Sequence, residues 1–245
     1  MSEWIGGAAL WMVLSILLLV LVLLPWFPAL MPRSPAAVVT PAQCSGCRLC
    51  VADCPYEAIH LAPHPNLKPG RQIAVVDPDR CAACGICVGA CPTASPLFPA
   101  AQLISGIDLP DMPIDTFRRR LVAGLSAPNA PRRVLFACAQ AARTFDDDRL
   151  LVMPFACAAQ MPPTFVDLAL RLGATEVWIN SCSAGACTYR LGGDWVADRL
   201  ARKRSPRLRR QVPASAWRLT QHDIGAENEL FDTWASRPQT TELHQ

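Results

Sequence analysis

The sequence predicts an α+β domain followed by a small α/β domain with a mostly parallel sheet, both placed after one N-terminal transmembrane helix. Three features predict this: an uncharged apolar stretch, a doubled cysteine run flanked by short apolar segments, and a later alternation of strand-like and helix-like segments. The predicted parts are a membrane anchor (1–32), the α+β domain (33–99), a linker with a helix (100–131), the α/β domain (132–237) and a tail (238–245).

The apolar stretch covers residues 5–24 and contains no charged residue. About 20 residues at about 1.5 Å each span about 30 Å, the thickness of a bilayer's hydrocarbon core. A cleavable signal peptide is disfavoured, because the chain begins without a basic residue and leaves the stretch through Pro25-Trp26-Phe27-Pro28. Arg33 and Arg48 follow, so the positive-inside rule predicts a single-pass protein of the inner (cytoplasmic) membrane, with its N-terminus outside and its later domains cytoplasmic.

Eight of the 12 cysteines form two copies of one pattern. In each copy the first three cysteines are separated by two residues each, three residues separate the third from the fourth, and a proline follows. The first copy is Cys44, Cys47, Cys50 and Cys54, and the second is Cys81, Cys84, Cys87 and Cys91. This pattern resembles the ligand run of bacterial two-cluster ferredoxins, in which the fourth cysteine of each run binds the other run's cluster. The resemblance implies two [4Fe–4S] clusters, one on Cys44, Cys47, Cys50 and Cys91, the other on Cys81, Cys84, Cys87 and Cys54. Four disulfides are disfavoured, because a cytoplasm-facing domain keeps its thiols reduced.

Short apolar segments beside the runs predict the strands of this ferredoxin-like domain. Val38–Val39 and Ile73–Val76 precede the two runs, and Ala58–Leu61 follows the first. After the second run Pro96 and Pro99 interrupt the chain, so we expect no good return strand there.

The chain beyond residue 100 alternates helix and strand signals. Ile114–Leu125 has helical spacing, and a solvated face is favoured for Arg118–Arg120 over a contact with anionic lipid or an acidic partner. The later segments predict strands at Val134–Cys138, Leu150–Met153, Glu176–Asn180 and Trp217–Leu219, and helices at Thr164–Leu172, Asp194–Ala201 and Ala226–Ala235.

Four cysteines remain outside the doubled run: Cys138, Cys157, Cys182 and Cys187. The first three lie at or just beyond the ends of predicted strands, where sites gather in parallel α/β sheets. The spacing alone fits a [2Fe–2S] cluster, a structural Zn²⁺, two disulfides or four small buried side chains.

The region 134–234 resembles the hydrogenase iron–sulfur (delta) subunit family of methyl-viologen-reducing hydrogenase and heterodisulfide reductase complexes. The resemblance rests on strand ends at Leu135-Phe136-Ala137-Cys138 and Met153-Pro154-Phe155-Ala156-Cys157, on Gly173-Ala174, and on Cys182-x-x-x-x-Cys187-x-Tyr189-Arg190. It implies a [2Fe–2S] cluster on Cys138, Cys157, Cys182 and Cys187, and electron passage between a dehydrogenase-type and an acceptor module. The chain departs from the family at Ala139-Gln140-Ala141 and at Ala158-Ala159-Gln160, which puts the partner surface in doubt.

These features together predict a membrane-anchored iron–sulfur electron-transfer subunit with no catalytic residue of its own. The sequence has no GxGxxG loop, no P-loop and no haem-type histidine pair, and a net charge of +3 does not indicate nucleic-acid binding. We expect a hetero-oligomeric complex with a soluble electron donor or acceptor and a quinone-handling or cytochrome b-type membrane subunit. Two alternatives stay open: a thiol/disulfide reductase subunit using Cys182 and Cys187, and a scaffold with a structural zinc.

Overall fold

The computed structural model describes residues 2–23, 34–65, 70–98, 100–139, 149–183 and 185–222. The chain falls into two compact units, Met1–Ser34 and Pro35–Gln245. The helix predicted at 226–235 and the tail at 238–245 lie outside the described residues.

The first unit contains helix α1, Ser2–Leu23. Within the described part of the chain, no helix meets the combined length and apolar character that crossing a membrane requires. The transmembrane helix predicted from the sequence is therefore wrong.

The second unit begins with two small antiparallel ladders around two short helices. The elements are β1 (Val38–Val39), α2 (Leu49–Asp53), β2 (Ile59–Pro63), β3 (Gln72–Val76), α3 (Ile86–Ala90) and β4 (Ile107–Asp108). Strand β2 pairs with β3, and β1 pairs with β4. The region after Cys91 forms a 3-10 helix, Pro92–Ala94, rather than a strand, as its prolines predict.

Strand β4 lies in the region predicted as a linker. It closes the ladder with β1 through the register Val38–Asp108 and Val39–Ile107, and Ile107 is 1% exposed. The sequence pattern missed this strand because it has only two residues and its partner lies far away in the chain.

Helix α4, Ile114–Ser126, connects the two halves of the unit. Its apolar residues Ile114, Phe117, Leu121 and Leu125 are buried, as the helical spacing predicts, whereas Val122, which the same spacing includes, is exposed. The Phe117 ring stacks on Phe155 with centroids 4.1 Å apart. Arg118 is bound more tightly than a solvated face requires, because its guanidinium donates to the Ala100 and Ala101 carbonyls and to Asp115.

The last part of the unit is a four-stranded parallel sheet in the order β6-β5-β7-β8. Its strands are β5 (Arg133–Cys138), β6 (Leu150–Phe155), β7 (Glu176–Cys182) and β8 (Trp217–His222), with helices α5 (Thr164–Arg171) and α6 (Gly192–Leu200) between them. The alternation of strands and helices predicts this parallel arrangement, and the structure has it.

One apolar core joins both halves of the second unit. It includes Ile86 and Val88 of α3 together with Phe136, Phe155 and Met161 from the sheet region, all of them fully buried. Residues from the cysteine-run half and the sheet half therefore fold against each other.

Candidate metal centres

The two cysteine loops have the same backbone conformation at equivalent positions. Gly46 and Arg48 in the first loop have φ of 69° and 68°, and Ala83 and Gly85 in the second have φ of 51° and 75°. Arg48 and Ala83 carry a Cβ, so each left-handed conformation costs roughly 1 kcal/mol. Backbone turns of this kind gather N–H groups into concavities that receive anions, including iron–sulfur clusters.

Gly46 is required by a close approach as well as by its φ. A Cβ there would collide with the backbone carbonyl of Gln72, at the start of β3. The first loop can lie against the β2–β3 ladder only because this position has no side chain.

The first set of predicted ligands comes together around one cavity. Burial, and then the neighbouring thiols of Cys91, Cys47 and Cys44, raise the pKa of the Cys50 thiol to about 12. The same four cysteines line one cavity. Cys91 belongs to the second run, so this cavity gathers cysteines from both runs, as the predicted exchange of ligands requires.

The second set is built in the same way. Burial raises the pKa of Cys84 to about 11; Cys54 and Cys81 add to the increase, while the hydrogen bond from the Ile86 N–H opposes it. Burial, followed by Cys84, Cys50 and the remaining thiols of the set, raises the pKa of Cys87 well above its ordinary value. Cys54, Cys81, Cys84 and Cys87 line a second cavity.

The donor chemistry of both cavities fits an iron–sulfur cluster. Buried thiols with raised pKa values stay protonated unless a cation compensates their charge, and coordination to iron does so. Over the described residues, no three His, Cys, Asp or Glu side chains are arranged to hold a single metal ion. A cluster places irons and sulfides between its ligands and so needs a wider ring of thiolates than one ion does.

Residues 43–95 match the 4Fe-4S dicluster domain family. The match covers both cysteine runs, and residues 43–95 are called the dicluster module below. It supports an iron–sulfur electron-transfer role for this part of the chain. No curated protein matches the chain. The resemblance of the sheet region to a hydrogenase delta subunit therefore stays a prediction.

The four remaining cysteines lie beyond one edge of the parallel sheet. Cys138 ends β5, Cys182 ends β7, Cys157 follows β6 by two residues, and Cys187 lies in the loop before α6. The parallel strands bring residues from four separate segments to this edge, as the strand-end positions predict. We call these four residues the third thiol set.

The thiols of this set contact one another in a chain. Cys182 is hydrogen-bonded to Cys138 and to Cys187, and Cys187 is also bonded to Cys157. The bond to Cys138, the bond to Cys187 and burial raise the pKa of Cys182. The hydrogen bonds that Cys187 accepts from Cys157 and Cys182 lower its pKa, so Cys187 ionises before either of those two thiols.

Gly192 allows the third thiol set to pack against the dicluster module. A Cβ on Gly192 would collide with the Cys157 sulfur and would lie 3.4 Å from the Cys187 sulfur and 3.6 Å from Ile86 Cδ1. Ile86 opens α3, next to the second-set ligands. Cys157 also interacts electrostatically with Cys84. The second set therefore lies between the first set and the third.

Sequence reasoning missed the residues that join these sites. Arg190 donates to the Pro55 carbonyl at 3.0 Å, and its guanidinium lies 5.1 Å from the centre of the Tyr56 ring. Arg199 reaches Asp53, which precedes Cys54. Comparison of the two runs offered one signal: the first run has Asp53 before its fourth cysteine, where the second has Ala90.

Proposed function

We propose that this chain is an iron–sulfur electron-transfer subunit with three centres in a row. Two [4Fe–4S] clusters occupy the first and second cysteine sets, and a [2Fe–2S] cluster occupies the third thiol set. Such clusters, when bound, accept and release single electrons. The contribution of the chain is to hold twelve thiolates in place, to exclude water from the inner sites and to keep the sites adjacent.

The adjacency of Cys84 and Cys157 is the observation that carries this proposal. Cys50 of the first set interacts electrostatically with Cys87 of the second, and Cys84 of the second set interacts with Cys157 of the third, where Gly192 lies close to both Cys157 and Ile86. Predicted ligands of neighbouring sets thus lie within electrostatic range of each other at two points. This arrangement suits a relay and has no value for three unrelated structural sites.

Solvent exposure identifies the outer end of the row. Cys47 of the first set is exposed, whereas Cys84, at the equivalent position of the second run, is buried. Gln160 covers the second loop, since a Cβ on Gly85 would lie 2.6 Å from Gln160 Cγ. An external redox partner therefore exchanges electrons at the first set. The partners expected from the sequence are a soluble donor or acceptor and a quinone-handling or cytochrome b-type membrane subunit, and the expected location is the inner (cytoplasmic) membrane with the iron–sulfur domains on its cytoplasmic side. Both stay predictions.

Iron and sulfide counts on the purified full chain test the proposal. Three clusters require about ten irons, and two [4Fe–4S] clusters require about eight. The double variant Cys182→Ser/Cys187→Ser should lose about two irons and keep the [4Fe–4S] EPR signals. The matched control Ser181→Ala, next to Cys182 in β7, should keep the full count.

The sulfur contacts within the third thiol set also favour a second candidate function. Cys182 and Cys187 touch and are only partly buried, which suits a thiol/disulfide reductase subunit. A count of about eight irons, together with a reversible disulfide between these two cysteines, would establish that function in place of the third cluster. About eight irons and one zinc would instead indicate a scaffold.

A further inference from the structure

Two arginines and one aspartate form a charged cluster inside the second unit. The side chains of Arg199, Asp53 and Arg204 are 0%, 3% and 28% exposed. Arg199 binds one carboxylate oxygen of Asp53, and Arg204 Nε donates to the other at 2.7 Å. Two guanidinium groups share one carboxylate, so the cluster carries a net positive charge in a largely buried position.

Arg199 contacts three segments, and each of them carries cysteines of the proposed centres. Besides Asp53, its guanidinium donates to the Ile86 carbonyl at 3.1 Å and to the Ala159 carbonyl at 2.7 Å. Asp53 precedes Cys54, Ile86 precedes Cys87, and Ala159 follows Cys157 by two residues. One side chain therefore connects two ligands of the second set with one thiol of the third.

The internal repeat shows that this cluster serves one site only. Asp53 corresponds to Ala90 in the second run, so the segment leading to Cys91 has no carboxylate to receive an arginine. Gly89 makes room for the guanidinium, because a Cβ there would lie 2.5 Å from a terminal nitrogen of Arg199. Ala90, the residue before Cys91 of the first set, therefore offers no carboxylate equivalent to that of Asp53.

Stability alone is a poor reason for this arrangement. Buried ion pairs lose hydration, and replacing them by apolar side chains is often neutral or stabilising. Arg199 Nε is buried and has no hydrogen-bond partner among the described residues, which adds to the cost. A charge kept at such a cost beside an electron carrier points to a redox role, since charge and hydrogen bonding around a cluster set its potential.

We propose that Arg199, paired with Asp53, is a positioning residue that holds the second set against the third and raises the reduction potential of the cluster bound there. A buried positive charge stabilises the reduced, more negative cluster relative to the oxidised one. The proposal rests on the proposed function, because it requires a [4Fe–4S] cluster on Cys54, Cys81, Cys84 and Cys87.

EPR-monitored redox titration of the full chain, with iron counts, tests it. Arg199→Met should lower the potential of the second cluster and leave that of the first nearly unchanged. Arg199→Lys keeps the charge and should restore most of the potential. Asp53→Asn removes the opposing charge and should shift the same potential upwards. The control Arg218→Met, which removes only an exposed bond to Glu176, should move neither potential.

Two results would overturn the proposal: an unchanged second potential in Arg199→Met with full iron, or equal shifts of both clusters. If Arg199→Met does not fold, Arg204→Met decides, since Arg204 is partly exposed and contacts the same carboxylate. A lower second potential then supports the proposal and an unchanged one overturns it. Absence of [4Fe–4S] signals in the wild-type chain would refute the proposed function itself, so the two failures are distinguishable.

Discussion

The fourth cysteine of each run accepts a different hydrogen bond. Cys54 accepts the Ala58 backbone N–H at 3.3 Å, whereas the Cys91 sulfur lies 3.1 Å from the Thr93 hydroxyl. Thr93 Oγ1 itself accepts the Gly106 N–H at 2.7 Å. A thiolate has no proton to donate, so with a cluster bound the hydroxyl donates to Cys91. Hydrogen bonds to ligating sulfurs are among the factors that set cluster potentials.

Thr93→Val should therefore lower the reduction potential of the first cluster. The substitution removes the donor to Cys91 and nearly preserves side-chain volume, while the second cluster, whose Cys54 uses a backbone donor, should not change. EPR-monitored titration resolves the two. Thr93→Ser keeps the hydroxyl and is the matched control; equal potentials in the Val and Ser variants would contradict the prediction.

Among the elements, α3 packs unusually closely on the 3-10 helix Ala158–Gln160. A Cβ on Gly89 would collide with the Ala159 carbonyl, an acceptor of Arg199. Helix α2 has Ala52 at the equivalent position, where the side chain is exposed. The two helices of the repeat thus differ where one is covered by the sheet region and the other is not.

Gly89→Ala should separate α3 from that segment and destabilise the second unit by about 1–3 kcal/mol, the usual penalty for overpacking. The thermal unfolding midpoint should fall, and Cys84 should become accessible to solvent. The reverse exchange, Ala52→Gly, should cost no more than about 1 kcal/mol, since it changes only helix propensity. Equal losses in the two variants would show that the contact with Ala159 has no special role.

The start of α4 depends on a half-buried carboxylate. Asp108 accepts the N–H groups of Leu109 at 2.9 Å and Ile114 at 3.1 Å. Burial raises the pKa of Asp108 from 3.8 to about 6; the two backbone N–H groups oppose this shift and Asp115 adds to it. The folded state thus holds a proton on Asp108 at pH values where the unfolded chain has lost it.

The sign of the pH effect follows from this difference. Between pH 4 and 6 the folded state binds more protons, so the free energy of unfolding falls as pH rises and levels off above about 6. Asp108→Asn keeps an acceptor without the charge, so it should be more stable than the wild type at pH 7.5 by on the order of 2 kcal/mol. The two unfolding midpoints should converge as the pH falls below about 4. A constant difference across this range would contradict the assigned pKa.

Over the whole molecule, the parts that sequence predicted are those set by local spacing. The ligand loops were predicted from cysteines separated by two or three residues, and the third thiol set was predicted from cysteines at strand ends. Arg199 was missed because its partner Asp53 lies 146 residues away and only folding brings them together. Strand β4 was missed for the same reason. Hydrophobicity alone led to the transmembrane prediction, which the structure does not support.

The two proposed [4Fe–4S] clusters differ in their protection from solvent. This difference predicts the order in which oxidation destroys them. Cys47 of the first set is exposed to solvent. The second set is covered by Gln160 and by the charged group that contains Arg199. During incubation with ferricyanide and a chelator, the EPR signal of the first cluster should disappear before that of the second.

Removal of the Gln160 side chain tests whether protection from solvent causes that order. Gln160→Ala takes away the side chain over Gly85, and should speed loss of the second signal without changing the first. Gln72→Ala is the control, because that side chain accepts a hydrogen bond from Arg48 at the surface, at 3.2 Å, and its loss should leave the second signal as stable as in the wild type. Simultaneous loss of both signals in the wild type would mean that burial of Cys84 does not protect its cluster. Solvent exposure would then not identify the first set as the outer end of the row.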